Sequence, residues 1–170
     1  MSLPFMQGCV ATGPLTAGER GRLASPPPAV TAEVERILPD AVGVAQTRER
    51  WILKRGRALT DSEIALARRI GVQEPERVRI STVQNFRTPE PKFGGPNPSI
   101  CAITSGHGIQ VNSLCPRQRH ILAHELTHVT QFERLGMLEF EREFLIQMIL
   151  VGSTRAPLET QARENETLGD

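Results

Sequence analysis

Cysteine is scarce in this chain of 170 residues: Cys9, Cys101 and Cys115 are the only three, and none lies in a CxxC pair. That count excludes a dense disulfide scaffold and a zinc ribbon. All three read as free thiols; one Cys101–Cys115 bridge is the alternative if the chain is exported, because the two flank an expected hairpin. Tyrosine is absent altogether, so no phenol is available as a hydrogen-bonding acid. Charge of one sign is also lacking. Twenty Lys and Arg stand against nineteen Asp and Glu, a net +1, which leaves no basic face for a phosphate backbone and makes nucleic acid an unexpected partner. Long hydrophobic runs are missing too. The longest, from Phe144 to Val151, is broken by Gln147 and falls far short of the roughly 20 residues that cross a bilayer, so no membrane span is expected. The opening residues Met1 to Cys9 have no basic residue before them, and Pro4, Gln7 and Gly8 interrupt the apolar ones. They make a poor signal peptide, and the expected location is cytoplasmic. There is no internal repeat.

The length suits one domain with a short extension. Residues 1–58 form the expected extension, partly disordered or loosely helical, because glycines are scattered through its first part and Pro26-Pro27-Pro28 resists a packed core. A short helix is expected from Thr31 as N-cap to Leu38, where Pro39 forbids continuation. The segment around Trp51 is compatible with helix or loop.

From residue 59 the signals are clearer. Thr60 and Glu63 have the spacing of a capping box. The helix that follows shows Ile64, Leu66, Ala67 and Ile70 as an apolar stripe, and Gly71 suits the left-handed position past its end. Val78 to Val83 alternates as a half-buried strand. Residues 87–98 carry four prolines and a glycine pair, which makes them a loop expected to be more mobile than the helices. Ile100 to Thr104 and His107 to Val111, joined by Ser105-Gly106, predict an antiparallel hairpin. A helix from Pro116 to just before Gly136 then carries Leu122, Leu126, Val129 and Phe132 on one side. Further helices are expected from Glu139 to Val151 and from Pro157 to about Leu168. The fold class is therefore α+β, a small and mainly antiparallel sheet packed on a central helix.

That central helix contains His124-Glu125-Leu126-Thr127-His128. Residues four apart share a helix face, so His124 and His128 can offer two imidazole nitrogens to one tetrahedral zinc ion. Glu125 lies about 100° around the helix from His124 and cannot easily join them as a ligand. It can reach a water at an open coordination position, which is the place of a general base. The neighbours Ile121, Leu122, Ala123, Leu126, Thr127, Val129 and Thr130 are uncharged, as a buried metal helix requires. The longer pattern HExxHxxGxxH is absent, since Gln131 and Arg134 occupy its glycine and histidine places. Glu133 points about 140° away from His128. The third ligand is therefore expected downstream.

Together, His124 to His128 and Ala-Pro-Leu-Glu-Thr-Gln-Ala-Arg at 156–163 resemble the gluzincin class of zinc metallopeptidases, most closely its small single-domain members. The resemblance spans roughly residues 59–170 and implies a zincin-like domain that cleaves peptide bonds. It implies Glu159 as third zinc ligand, with Ala162 one turn on to let the helices approach. Glu164 and Glu166 are the weaker candidates for that place, and Gln161 stands where such families often have a second glutamate. It also implies that the strand His107 to Val111 is the edge strand that receives an extended peptide. His107 then becomes a catalytic candidate for steadying the oxyanion, in place of the tyrosine this chain lacks, with Arg155 and Arg163 behind it. Arg163 is equally placed for an ordinary ion pair with Glu159 four residues earlier. His120 shares the ligand face but lies too far along the axis to share the ion of His128. A rival reading of the same residues is a non-catalytic zinc-containing binding or scaffold module of a larger bacterial assembly, which needs no oxyanion group.

Overall fold

The computed structural model describes residues 13–84, 86 and 100–170. The expected mobile loop at 87–98, the opening residues 1–12 and Cys9 lie outside them. Five helices and four short strands follow in the order α1 (Ala17–Ala24), α2 (Pro28–Arg55), β1 (Arg57–Ala58), α3 (Asp61–Ile70), β2 (Arg79–Val83), β3 (Ala102–Ser105), β4 (Gly108–Asn112), α4 (Gln118–Val151) and α5 (Pro157–Asn165), with a final 3-10 turn at Glu166–Gly169. The fold is α+β. Among the described residues no helix is long and apolar enough to cross a membrane.

The sheet is mixed, in the order β1-β2-β4-β3. The hairpin forms as expected, with β3 antiparallel to β4 and Ala102 opposite Val111. On its other side β4 runs parallel to β2, with Ile80 beside Ile109, a non-local pairing that no turn signal announces. The strand expected at the edge is therefore interior, and among the described residues β3 is the edge on that side of the sheet.

The largest departure from expectation is α2. Pro39 does not end it, although an interior proline forfeits one hydrogen bond and crowds the preceding turn, at a cost of about 3 kcal/mol. Packing offsets that cost. Val34, Leu38, Ala45 and Ile52 recur four and seven residues apart and are all buried, so one stripe faces the core on both sides of the proline. Ile52 is fully buried and rests on Gly108, where an added Cβ would stand 3.0 Å from its own. The loosely helical extension is thus, over residues 28–55, a helix packed on the sheet. Ahead of it α1 carries its own capping box, Thr16 with Glu19, in a segment expected to resist structure.

Local signals elsewhere hold. The Thr60–Glu63 capping box starts α3, and Gly71 ends it at φ +106°. Leu122, Leu126 and Val129 of α4 are buried against the sheet in one cluster with Leu66, Val78, Ile80 and Ile109. The helix begins at Gln118, not at Pro116, because Arg117 takes a left-handed conformation. It breaks at Gly136 (φ 75°, ψ 163°) and resumes. The second half returns Phe140 onto Phe132, ring centroids 3.7 Å apart, and Leu158 of α5 completes this smaller cluster. The C-terminal turn is clamped: Leu168 O accepts from Arg69 Nη2 at 2.6 Å, and a Cβ on Gly169 would come within 2.7 Å of Arg119 O.

Cys101 and Cys115 form a disulfide, which corrects the reading of these two as free thiols. Their approach depends on the hairpin register and on Asn112 N donating to Cys101 O at 2.8 Å, neither of which is visible in cysteine spacing. The bridge ties the start of β3 to the loop that feeds α4. Closing a loop of this length removes unfolded-state entropy worth about 3 kcal/mol. Replacing both cysteines by serine is accordingly expected to lower the unfolding free energy by about that amount in urea melts. An unshifted midpoint would show that the bridge does not form.

Candidate metal centre

His124 and His128 project from consecutive turns of α4, in the stretch that Leu126 and Val129 hold against the sheet. Glu159 comes from the first turn of α5, which buries Leu158 and Ala162 and so lies close along α4. One donor atom from each of the three residues falls within 4.8 Å of the other two. His124 Nε2 and His128 Nε2 are 3.2 Å apart, His124 Nε2 and Glu159 Oε2 3.4 Å, and His128 Nε2 and Glu159 Oε1 3.5 Å. Zinc bonds of about 2.0–2.1 Å at tetrahedral angles place neighbouring donors about 3.3 Å apart. The triangle therefore has the dimensions of a zinc site.

The hydrogen bonds behind the donors fix which atoms carry protons. Gln131 Nε2 donates to Leu158 O at 3.0 Å and to Gln161 Oε1 at 2.9 Å, so its Oε1 is the atom facing His128 Nδ1 at 2.8 Å. An amide oxygen only accepts, so His128 carries its proton on Nδ1. His124 Nδ1 likewise lies 2.9 Å from Glu166 Oε1 and donates to that carboxylate. In the neutral tautomers both Nε2 atoms then present lone pairs to each other and to the Glu159 carboxylate. The residues fit zinc, with the outer support typical of ligating histidines.

The three donors are also coupled electrostatically. Burial alone would push both imidazoles down, yet the Glu159 carboxylate and the charge of Glu125 outweigh it and hold both above the usual histidine value. Glu159 is held far below the usual carboxylate range, the two imidazoles overcoming its burial. A buried amide that orients a ligand is expected to matter at a distance from the ion. Gln131→Met keeps the volume and removes the acceptor, and should weaken zinc binding by roughly 10- to 100-fold in a chelator competition. Unchanged affinity would refute the orienting role.

Glu125 stands beside this triangle and outside it. Thr104 Oγ1 of β3 donates to its Oε2 at 2.6 Å, and Oε1 has no protein partner among the described residues. Both the donor triangle and Glu125 line one cleft of about 750 Å³, walled by β3, by α4 on both sides of its break, by Glu159 and Glu166, and by Arg48 of α2.

The other expected site residues are placed elsewhere. His107 does not line this cleft. It is buried with Nε2 3.2 Å from Glu133 Oε1, and its backbone N–H donates to Glu49 Oε1 at 2.9 Å, so it fastens the hairpin turn to α2 and α4. Glu49 above all, with Glu133, holds its pKa above the usual histidine value despite burial and Arg77. Arg155 is ion-paired with Glu19 of α1 at 2.5 Å, and Arg163 Nη2 donates to Thr154 O at 2.6 Å while lying 3.7 Å from Glu159. Neither is free to meet an oxyanion. His120 lines the cleft and pairs with Asp170 at 2.9 Å. Glu164 is exposed, whereas Glu166 lies behind His124 and not among the donors. Sequence reasoning missed Thr104, Gln131 and Arg48. Only Gln131 left a local signal, three residues after His128 on the same helix. Compared with protein-family models, with curated proteins and with solved structures, the chain gives no match.

Proposed function

We propose that this chain is a zinc-dependent peptidase of gluzincin type with a zincin-like domain. The observation that carries the proposal is the set of three donor–donor separations near 3.3 Å with an unligated Glu125 carboxylate beside them. His124, His128 and Glu159 would hold the ion. When bound, zinc supplies Lewis-acid polarisation of the scissile carbonyl and makes an attacking water more acidic. Glu125 accepts the proton of that water through Oε1, while Thr104 steers Oε2, and later passes the proton to the leaving amine. The outer edge of β3, adjoining Glu125 through Thr104, supports an extended peptide as substrate, because among the described residues its backbone groups have no strand partner on that side.

A second reading has one observation in its favour. His107 and Arg155 are engaged away from the donors, Arg163 is held by Thr154 O and by Glu159 itself, and the chain has no tyrosine, so a non-catalytic zinc-containing scaffold module remains the rival. A structural site has no use for a carboxylate positioned as Glu125 is, which favours the enzyme.

Elemental analysis of purified protein is expected to give about one zinc per chain, and cleavage of a peptide library should stop with a chelator and return with zinc. Full zinc without cleavage would favour the scaffold, and protein that takes up no zinc would sink both readings.

A further inference from the structure

The cleft beside the donors continues past His128 onto an aromatic floor. Phe140 lies edge-on to His128, centroids 6.1 Å apart, and stacks with Phe144 at 5.9 Å. Arg48 and Glu141 line the same cleft. Resting on the peptidase reading, we propose that the Arg48 end of the cleft is a carboxylate-binding subsite, taking an acidic side chain or a C-terminal carboxylate of a peptide whose neighbouring apolar group lies on Phe140 and Phe144.

Arg48 differs from the carboxylate-paired arginines of the molecule. Arg57, Arg142 and Arg155 each meet a carboxylate within 3 Å, as do the far more exposed Arg36 and Arg68. Half-buried Arg48 has no carboxylate within 4 Å among the described residues, and its one side-chain contact is a long one, Nη1 to Ser105 Oγ at 3.4 Å. A guanidinium stays charged in a protein, and a partly desolvated charge without a partner is costly. Burial accordingly pulls its pKa down, with Glu141 acting the other way. Glu141 does not neutralise it. Burial pushes that carboxyl up to about 7 against the pull of Arg48, so near neutral pH the pair carries net positive charge. Ser105 closes β3, so this charge stands where an extended peptide leaving the free edge would pass. Its five fixed donors match a carboxylate in two parallel hydrogen bonds.

The test uses the zinc-loaded full chain and calorimetry with acetohydroxamate and a series of alkyl hydroxamates of increasing length, each ending in a free carboxylate or in the matching amide. At one length the acid should bind about tenfold tighter than its amide, and Arg48→Gln should bring that ratio to near one while Arg48→Lys keeps part of it. Two peptide hydroxamates, one with an acidic side chain and amidated end, the other with a neutral side chain and free end, identify the source of the carboxylate. Equal binding of acid and amide at every length by the wild type overturns the subsite, whatever the Arg48 variants do. Failure of acetohydroxamate itself to bind would overturn the zinc-peptidase reading and the subsite with it.

Discussion

Glu125→Gln is expected to hold zinc as tightly as the wild type and to hydrolyse peptides roughly 10²- to 10⁴-fold more slowly. The expectation comes from position. Glu125 is buried at the cleft wall but lies outside the donor triangle, so removing its charge leaves all three proposed donors in place. Glutamine keeps the shape and still accepts from Thr104 through its amide oxygen, so the fold has no reason to change. What it cannot do is take a proton. Parallel chelator competition and initial-rate measurements check both halves, and equal cleavage by the two proteins would place the activity at another site or in a contaminant.

The double variant His124→Ala, His128→Ala should lose specific zinc binding and, with it, stabilisation by zinc. A ligand that binds only the folded state adds about 4 kcal/mol to stability at a free concentration 1,000 times its Kd. Thermal melts of the wild type are therefore expected to rise steeply with added zinc, and those of the double variant to stay flat. Without zinc the variant should still fold, because it removes two groups whose lone pairs crowd a third, and the surrounding Leu126 and Val129 contacts remain. Zinc-dependent melting in the double variant would show that the ion sits elsewhere, for instance among Glu74, His107 and Glu133, whose donors also converge.

What the sequence disclosed was local. His124, Glu125 and His128 are legible because four-residue spacing fixes a helix face whatever surrounds it, and the Thr60–Glu63 box is legible because both partners lie within one turn. Glu159 needed the resemblance, since nothing between residues 128 and 159 states that α5 folds back along α4. The misreadings share that cause. Pro39 is a breaker by local rule, and only the buried stripe from Val34 to Ile52 overrides it. His107 looked catalytic from its place before the motif helix, but β4 pairs in parallel with β2, and that pairing puts His107 beside Glu49 and Glu133. The Cys101–Cys115 bridge and the charge of Arg48 in the cleft depend on tertiary approach in the same way.

The clamped turn at Glu166–Gly169 bears on how firmly the donor triangle is held. Glu166, whose Oε1 accepts a hydrogen bond from His124 Nδ1, follows α5 directly, and Arg69 and the tight fit of Gly169 hold that stretch against the start of α4. Removing residues 166–170 would leave His124, His128 and Glu159 in place and still free the His124 ring to turn. Loss of that stretch would therefore loosen the donor triangle while the rest of the fold stands.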